Sequence, residues 1–223
     1  MNKVVIIFLF MISIGNLFGF SAYDDSLNKA KLECDKNIIE SCKELGMIYE
    51  IKGMYKKTEV LYDQVCKAGD ISGCYNLGRL FRYGLNGKKN SKKALMLYAK
   101  ACEKNHKEAC TALGSMYEAG EVVLQDYTAA FKYHKKSCDL GFENGCAAVA
   151  WFYKQGNGVS QNYEMSAKYY KIACNKNNMF ACAGLASLYA SGSGVTKDLT
   201  IAKQLFQKSC DLGYNQGCYF MNN

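Results

Sequence analysis

The sequence predicts an all-α protein, an α/α solenoid of helical hairpins stapled by disulfides. Three observations carry that expectation. Twelve cysteines form six pairs, at 34/42, 66/74, 102/110, 138/146, 174/182 and 210/218, and successive pairs begin 32, 36, 36, 36 and 36 residues apart. A fixed period in this range marks a stack of helical hairpins. The 223 residues contain no proline, which argues against a loop-rich β domain. Between the cysteines, small and apolar residues recur with helical rather than strand spacing.

Each repeat resolves into two helices. Counted from the second cysteine of a pair, three positions on stand Leu45, Leu77, Leu113, Val149 and Leu185. The next position holds Gly46, Gly78, Gly114, Ala150 and Ala186, and the seventh holds Tyr49, Phe81, Tyr117, Tyr153 and Tyr189. Offsets of 0, 3, 4 and 7 define one face of a first helix, helix A, in which the small residue admits a partner and the aromatic fills the space beside it. This pattern places the tyrosines of that register in the core. Gly84, Gly120, Gly156 and Gly192 end helix A. Helix B carries Ala94, Ala130 and Ala202, with Tyr62, Tyr98, His134, Tyr170 and Phe206 four before its cysteine. Three residues after that cysteine come Gly69, Asn105, Gly141, Asn177 and Gly213, the residue types that best take a left-handed conformation at a helix end.

The expected organisation is a signal peptide at 1–22, a capping helix at 23–39, a short repeat at 40–71, repeats at 72–107, 108–143, 144–179 and 180–215, and a C-terminal cap at 216–223. Lys3, the apolar run Val4 to Ile14 and the small residues Gly19, Ser21 and Ala22 compose a secretory leader, cut after Ser21 or Ala22. The remainder is then exported, secreted or periplasmic, without a membrane association after cleavage.

Paired cysteines in an exported chain form disulfides rather than metal sites. Zinc sites favour shorter ligand spacings, so no metal and no cofactor is expected. Pairing within one hairpin, Cys42 with Cys66 and so on, would orphan Cys34 and Cys218. Pairing across the turn from helix B to the next helix A leaves none over. The expected bonds are Cys34–Cys42, Cys66–Cys74, Cys102–Cys110, Cys138–Cys146, Cys174–Cys182 and Cys210–Cys218.

The formal charge of +8 reflects 28 basic residues against 20 acidic ones. Spread over the chain it acts on solubility and steering and falls short of the basic stripe of a nucleic-acid binder. The two Gly-x-Gly-Val stretches, at 156–159 and 192–195, follow a helix and lack a phosphate-loop lysine, so no nucleotide site is expected there.

The repeated Cys-x-x-Leu-Gly-x-x-Tyr-x-x-Gly, the helix B alanine, the 36-residue period and the Cys-x7-Cys pairs together resemble the Sel1-like repeats, and more narrowly the Helicobacter cysteine-rich protein family. The likeness runs from about residue 23 to the end. It implies a right-handed tetratricopeptide-like superhelix exported by a Gram-negative bacterium. It also implies one of several roles: an adaptor scaffold, a penicillin-binding protein with weak β-lactamase activity, or a secreted protein that provokes host responses.

The residues give the enzymatic role little to stand on. Ser26 and Lys29 make the single Ser-x-x-Lys, the candidate nucleophile and its partner, with Lys57-Thr58-Glu59 the nearest approach to a Lys-Thr-Gly element. The other reading of Ser26 is a helix cap. Of the two histidines, His134 fills an aromatic position and His106 falls in a turn exposed to solvent.

In the geometry the resemblance implies, helix A lines a concave surface on which a monomer holds a peptide or protein segment, with a peptidoglycan fragment or β-lactam as the alternative ligand. The variable positions there include both arginines, Arg79 and Arg82, and the single tryptophan, Trp151. Arginine and tryptophan are enriched at binding hot spots. Lys154, Tyr75 and Tyr83 complete the candidate set. Arg79 and Arg82, three apart, would share one carboxylate or phosphate; the competing reading pairs Arg82 with Glu50 or Glu118 and packs Trp151 between helices.

Overall fold

The computed structural model describes residues 25–222, together with the side chains up to residue 219. The leader expected at 1–22 lies outside the described residues. Twelve helices and no strand occur among them.

The chain divides into two compact units, one up to Lys89 and one from Asn90. The first holds α1 (25–35), α2 (Ile39–Ile51), α3 (Tyr55–Lys67) and α4 (Ile71–Tyr83). The second holds α5 (Ser91–Glu103), α6 (Lys107–Ala119), α7 (Tyr127–Asp139), α8 (Glu143–Gln155), α9 (Tyr163–Asn175), α10 (Met179–Ser191), α11 (Leu199–Asp211) and α12 (Asn215–Asn222). Even-numbered helices are the A helices and odd-numbered ones the B helices. In the first unit α3 packs on α2 and α4; in the second each helix packs on its neighbours in sequence, and α6 also meets α8 and α8 meets α10. Successive A helices therefore touch more closely than successive B helices, which makes the A helices the inner layer of that unit.

The register read from the sequence is the packing register. Leu77, Leu113 and Val149 are fully buried, and so are Tyr62 and Tyr98 of the B helices. Burying each such side chain contributes about 1.5–3 kcal/mol. The small residue of helix A makes room for the B-helix aromatic: a Cβ on Gly46 would lie 2.6 Å from the Tyr62 ring, and one on Gly114 would lie 2.9 Å from His134. Burial pushes the Tyr170 phenol up to about 12. The B helices end in left-handed residues as expected, with φ of 65° at Asn105, 61° at Asn177 and 85° at Gly141.

The tyrosines seven after the cysteine depart from expectation. Tyr49, Tyr117, Tyr153 and Tyr189 are half-buried: Tyr49, Tyr153 and Tyr189 pack against the buried clusters from their edge. Two of the four stack on B-helix rings, Tyr117 on Tyr133 at 5.4 Å and Tyr153 on Tyr169 at 5.8 Å between ring centres.

Candidate functional site

A disulfide frame holds the A helices in place. All six bonds run across the turn from a B helix to the next A helix, as the pairing argument requires, with Cα–Cα distances of 4.5–4.8 Å. Polar contacts bind the same junctions. Lys136 Nζ donates to the Cys102 carbonyl at 2.7 Å and Lys208 Nζ to the Cys174 carbonyl at 2.9 Å, each cation closing the C-terminus of the preceding B helix. Ser137 Oγ donates to the Lys107 carbonyl and Ser209 Oγ to the Met179 carbonyl, both at 2.8 Å.

On this frame the first unit spends its A-helix charges internally. Arg79 Nη2 on α4 donates to Glu50 Oε1 on α2 at 3.2 Å, and the Tyr62 hydroxyl donates to Glu50 Oε2 at 2.8 Å. Burial, reinforced by the Glu50 carboxylate, raises the Tyr62 phenol well above its ordinary value. Lys43 on α2 bridges to Asp70, the N-cap of α4, at 3.1 Å. Burial alone would raise the Asp70 carboxyl. The N–H groups of Gly73 and Ser72 and the Lys43 ammonium outweigh it and hold the carboxyl below its usual value. Of the residues read from the sequence, Arg79 thus grips a carboxylate of its own chain. Arg82 lies over the Tyr83 ring at 5.6 Å, Tyr75 is half-buried and Tyr83 is exposed.

The second unit presents the same positions differently. The Glu50–Arg79 pair shows that the eighth position of one A helix reaches the fifth of the next. In the second unit those positions hold Glu118 with Trp151, and Lys154 with Ser187. Neither combination is an ion pair. Trp151 is half-buried, with its ring edge-on to the buried Phe152 at 5.2 Å. Lys154 is half-buried and makes no ion pair among the described residues. Helix α10 carries no charged side chain. The result is an aromatic anchor beside the Glu118 position and a cation facing the uncharged helix α10.

Ser26 and Lys29 are both exposed on α1, and the Lys29 ammonium lies 3.9 Å from Glu33. His134 is buried against Phe152, 5.6 Å between ring centres, with Glu118 Oε2 3.5 Å from its Nε2. His106 was expected in solvent; its Nδ1 instead accepts from the Ala109 N–H at 3.3 Å and caps α6. No group of three or more His, Cys, Asp or Glu side chains suited to a metal ion occurs among the described residues. Nor is any described helix long and apolar enough to cross a membrane.

Two sets of structural residues escaped the sequence reading. Asn90, Asp126, Asn162 and Asp198 each accept a backbone N–H as the N-cap of a B helix. Their 36-residue spacing was the available signal. Gly158 and Gly194, the second glycines of the Gly-x-Gly-Val stretches, sit directly on the start of the preceding B helix. A Cβ on either would meet the backbone of Tyr127 or Tyr163 at 2.2–2.3 Å, and both have positive φ.

Comparison with known proteins agrees with this architecture. The Sel1 repeat pattern matches residues 71–106, 107–142, 144–178 and 180–214. No curated protein matches. Among solved structures, a protective antigen of uropathogenic Escherichia coli with the same repeat fold is 20% identical, with TM-score 0.71, over 87% of this chain and 50% of its own. The present chain therefore spans half the length of that relative. A Sel1 repeat protein from Oxalobacter formigenes is 22% identical with TM-score 0.74, over 81% of this chain and 76% of its own. Cysteine-rich protein B of Helicobacter pylori is 33% identical over 59% of this chain and 95% of its own, with TM-score 0.48. With four repeats matched over more than half its length and a disulfide at each B-to-A turn, the chain belongs to the Sel1 repeat family.

Proposed function

We propose that this protein is an exported, disulfide-stapled adaptor that holds an extended peptide or protein segment on its A-helix face. The observation that carries this reading is the contrast at one register position. Where the first unit closes Glu50 onto Arg79, the second sets the uncharged Trp151 and Ser187 at the fifth position, and Lys154 makes no ion pair among the described residues. Trp151 anchors an apolar side chain of the segment, and Lys154 meets an acidic side chain or terminal carboxylate. The first unit's own A-helix face carries Arg82, Tyr75 and Tyr83 on α4, where Arg79 serves mainly to hold Glu50. Twelve cysteines, all paired, fit an oxidising compartment, and the 1–22 segment supplies the route to it. Each hairpin is one repeat, with 40–71 the short first member.

Selection of a random peptide library against the oxidised protein tests this. The expected result is a set of peptides sharing an apolar and an acidic residue. Trp151→Ala is expected to weaken their binding by about ten-fold or more with the melting temperature unchanged, and Lys154→Glu to do so through the acidic residue. Failure to enrich any peptide, or equal binding by both variants, would overturn the reading.

A further inference from the structure

The helices of the second unit segregate charge by layer. Its B helices α5, α7, α9 and α11 carry ten lysines against four acidic residues, whereas α6, α8 and α10 carry two against three. One of the four acids, Asp139, is already bonded by Lys135. Lys132, Lys168, Lys171 and Lys203 are exposed and make no ion pair among the described residues. Within this unit the B helices therefore carry a formal +6 and α6, α8 and α10 a formal −1.

Aliphatic side chains share that layer's outer register. Six positions before the cysteine stand Met96, which is 64% exposed, Lys132, Lys168 and Gln204; two before it stand Lys100, Lys136, Ile172 and Lys208. Leu199 at the start of α11 is also 64% exposed. An open groove of about 520 Å³ runs along α7, with Phe131 and Leu140 among its apolar lining and Lys132, Lys135 and Lys136 beside them. A soluble polyanion would engage the lysines alone. Protruding aliphatics interleaved with lysines match a surface that is anionic outside and apolar just beneath.

We propose that the B-helix face of the second unit docks peripherally on an anionic lipid surface, leaving the A-helix face turned away for its own ligand. The lysines meet lipid phosphates, while Met96 and Leu199 enter the boundary of the acyl chains. This rests on different residues from the peptide-binding reading and fails independently of it.

The test is co-sedimentation of the oxidised, exported protein with vesicles of phosphatidylcholine alone or of phosphatidylcholine mixed with phosphatidylglycerol. Binding is expected only to the mixed vesicles and is expected to fall with salt. Replacing Lys132, Lys168, Lys171 and Lys203 by Glu should weaken it by about a hundred-fold or more. The Met96→Ser/Leu199→Ser variant should bind the mixed vesicles more weakly while retaining full binding to heparin, the soluble polyanion control. Equal binding to both vesicle types, or no loss on charge reversal, would overturn the proposal. So would vesicle binding indifferent to the aliphatic variant, which would assign the face to soluble polyanions.

Discussion

The short hairpin α2–α3 of the first unit and the full hairpins of the second close by the same hydrogen bond but not with the same loop. In each, the residue before helix B donates its N–H to the carbonyl of the seventh-position aromatic: Met54 to Tyr49 at 2.8 Å, Asp126 to Tyr117 at 3.0 Å, Asn162 to Tyr153 at 2.8 Å and Asp198 to Tyr189 at 3.0 Å. The longer loops add two things. They place an Asp or Asn at the N-cap, where Met54 offers no side-chain acceptor. They also lay Gly158 and Gly194 flat on the preceding helix. At the position equivalent to Gly158, the first unit has Asn86, which donates to Glu59 at 2.8 Å and lines a cavity of about 510 Å³ with Met54 and Tyr55. The helices and disulfides thus tolerate a change in repeat length, and the short α2–α3 loop registers that change as a lost cap.

Reduction is expected to have the largest effect, and it strikes both units alike. Each bond closes a loop of about nine residues, worth roughly 2.5 kcal/mol, so a melt in reductant should shift far below one without it. An unmoved melt would mean that packing alone orders the stack. Next comes the loop. Gly158→Ala should destabilise by about 3 kcal/mol, because the new Cβ meets backbone and φ is positive, while Asn86→Ala in the first unit should cost only about 1 kcal/mol. Equal urea midpoints for the two variants would erase the distinction between the loops. The caps should give smaller, opposite changes. Asp198→Ala is expected to lose about 1 kcal/mol, and Met54→Asp to gain up to about that much, by supplying what the short hairpin lacks; urea titration reads both.

The smallest effect is in acid. Asp70 titrates lower folded than unfolded, so its contribution is present above its ordinary value of 3.8 and is lost as the pH falls through the folded value. The urea midpoint of the wild type should therefore drop more between pH 5 and about 3 than that of Asp70→Asn. Parallel curves for the two proteins would show that Lys43 and the α4 N-terminus do not hold that charge.

The fold was legible because one residue type fixed the register. Once the cysteines set the period, Leu113, Gly114 and His134 fell into place as a packing set, while the B-helix caps and the close approach of Gly158 and Gly194 remained for the structure to show. The site was less legible. Pairing of Arg79 with Glu50 depends on which A-helix positions reach the next repeat, a distance of 29 residues that no local pattern reports. Charge segregation was hidden for the same reason, since a total of +8 says nothing about which layer holds it. The tyrosines misled because a helical face identifies what points inward but not how far in it reaches, and these rings meet the core at its edge.

Each disulfide joins cysteines eight residues apart, whereas the nearest wrong partner along the chain is 24 or 28 residues away. Ring closure alone favours the native partner by about 1 kcal/mol. Formation of the B-to-A turn widens that margin by bringing the two sulfurs together before any other repeat exists. Oxidation can therefore proceed pair by pair, in the order in which the segments meet an oxidant, without proofreading by an isomerase. A chain built this way can be lengthened by whole repeats without multiplying its opportunities for scrambled bonds.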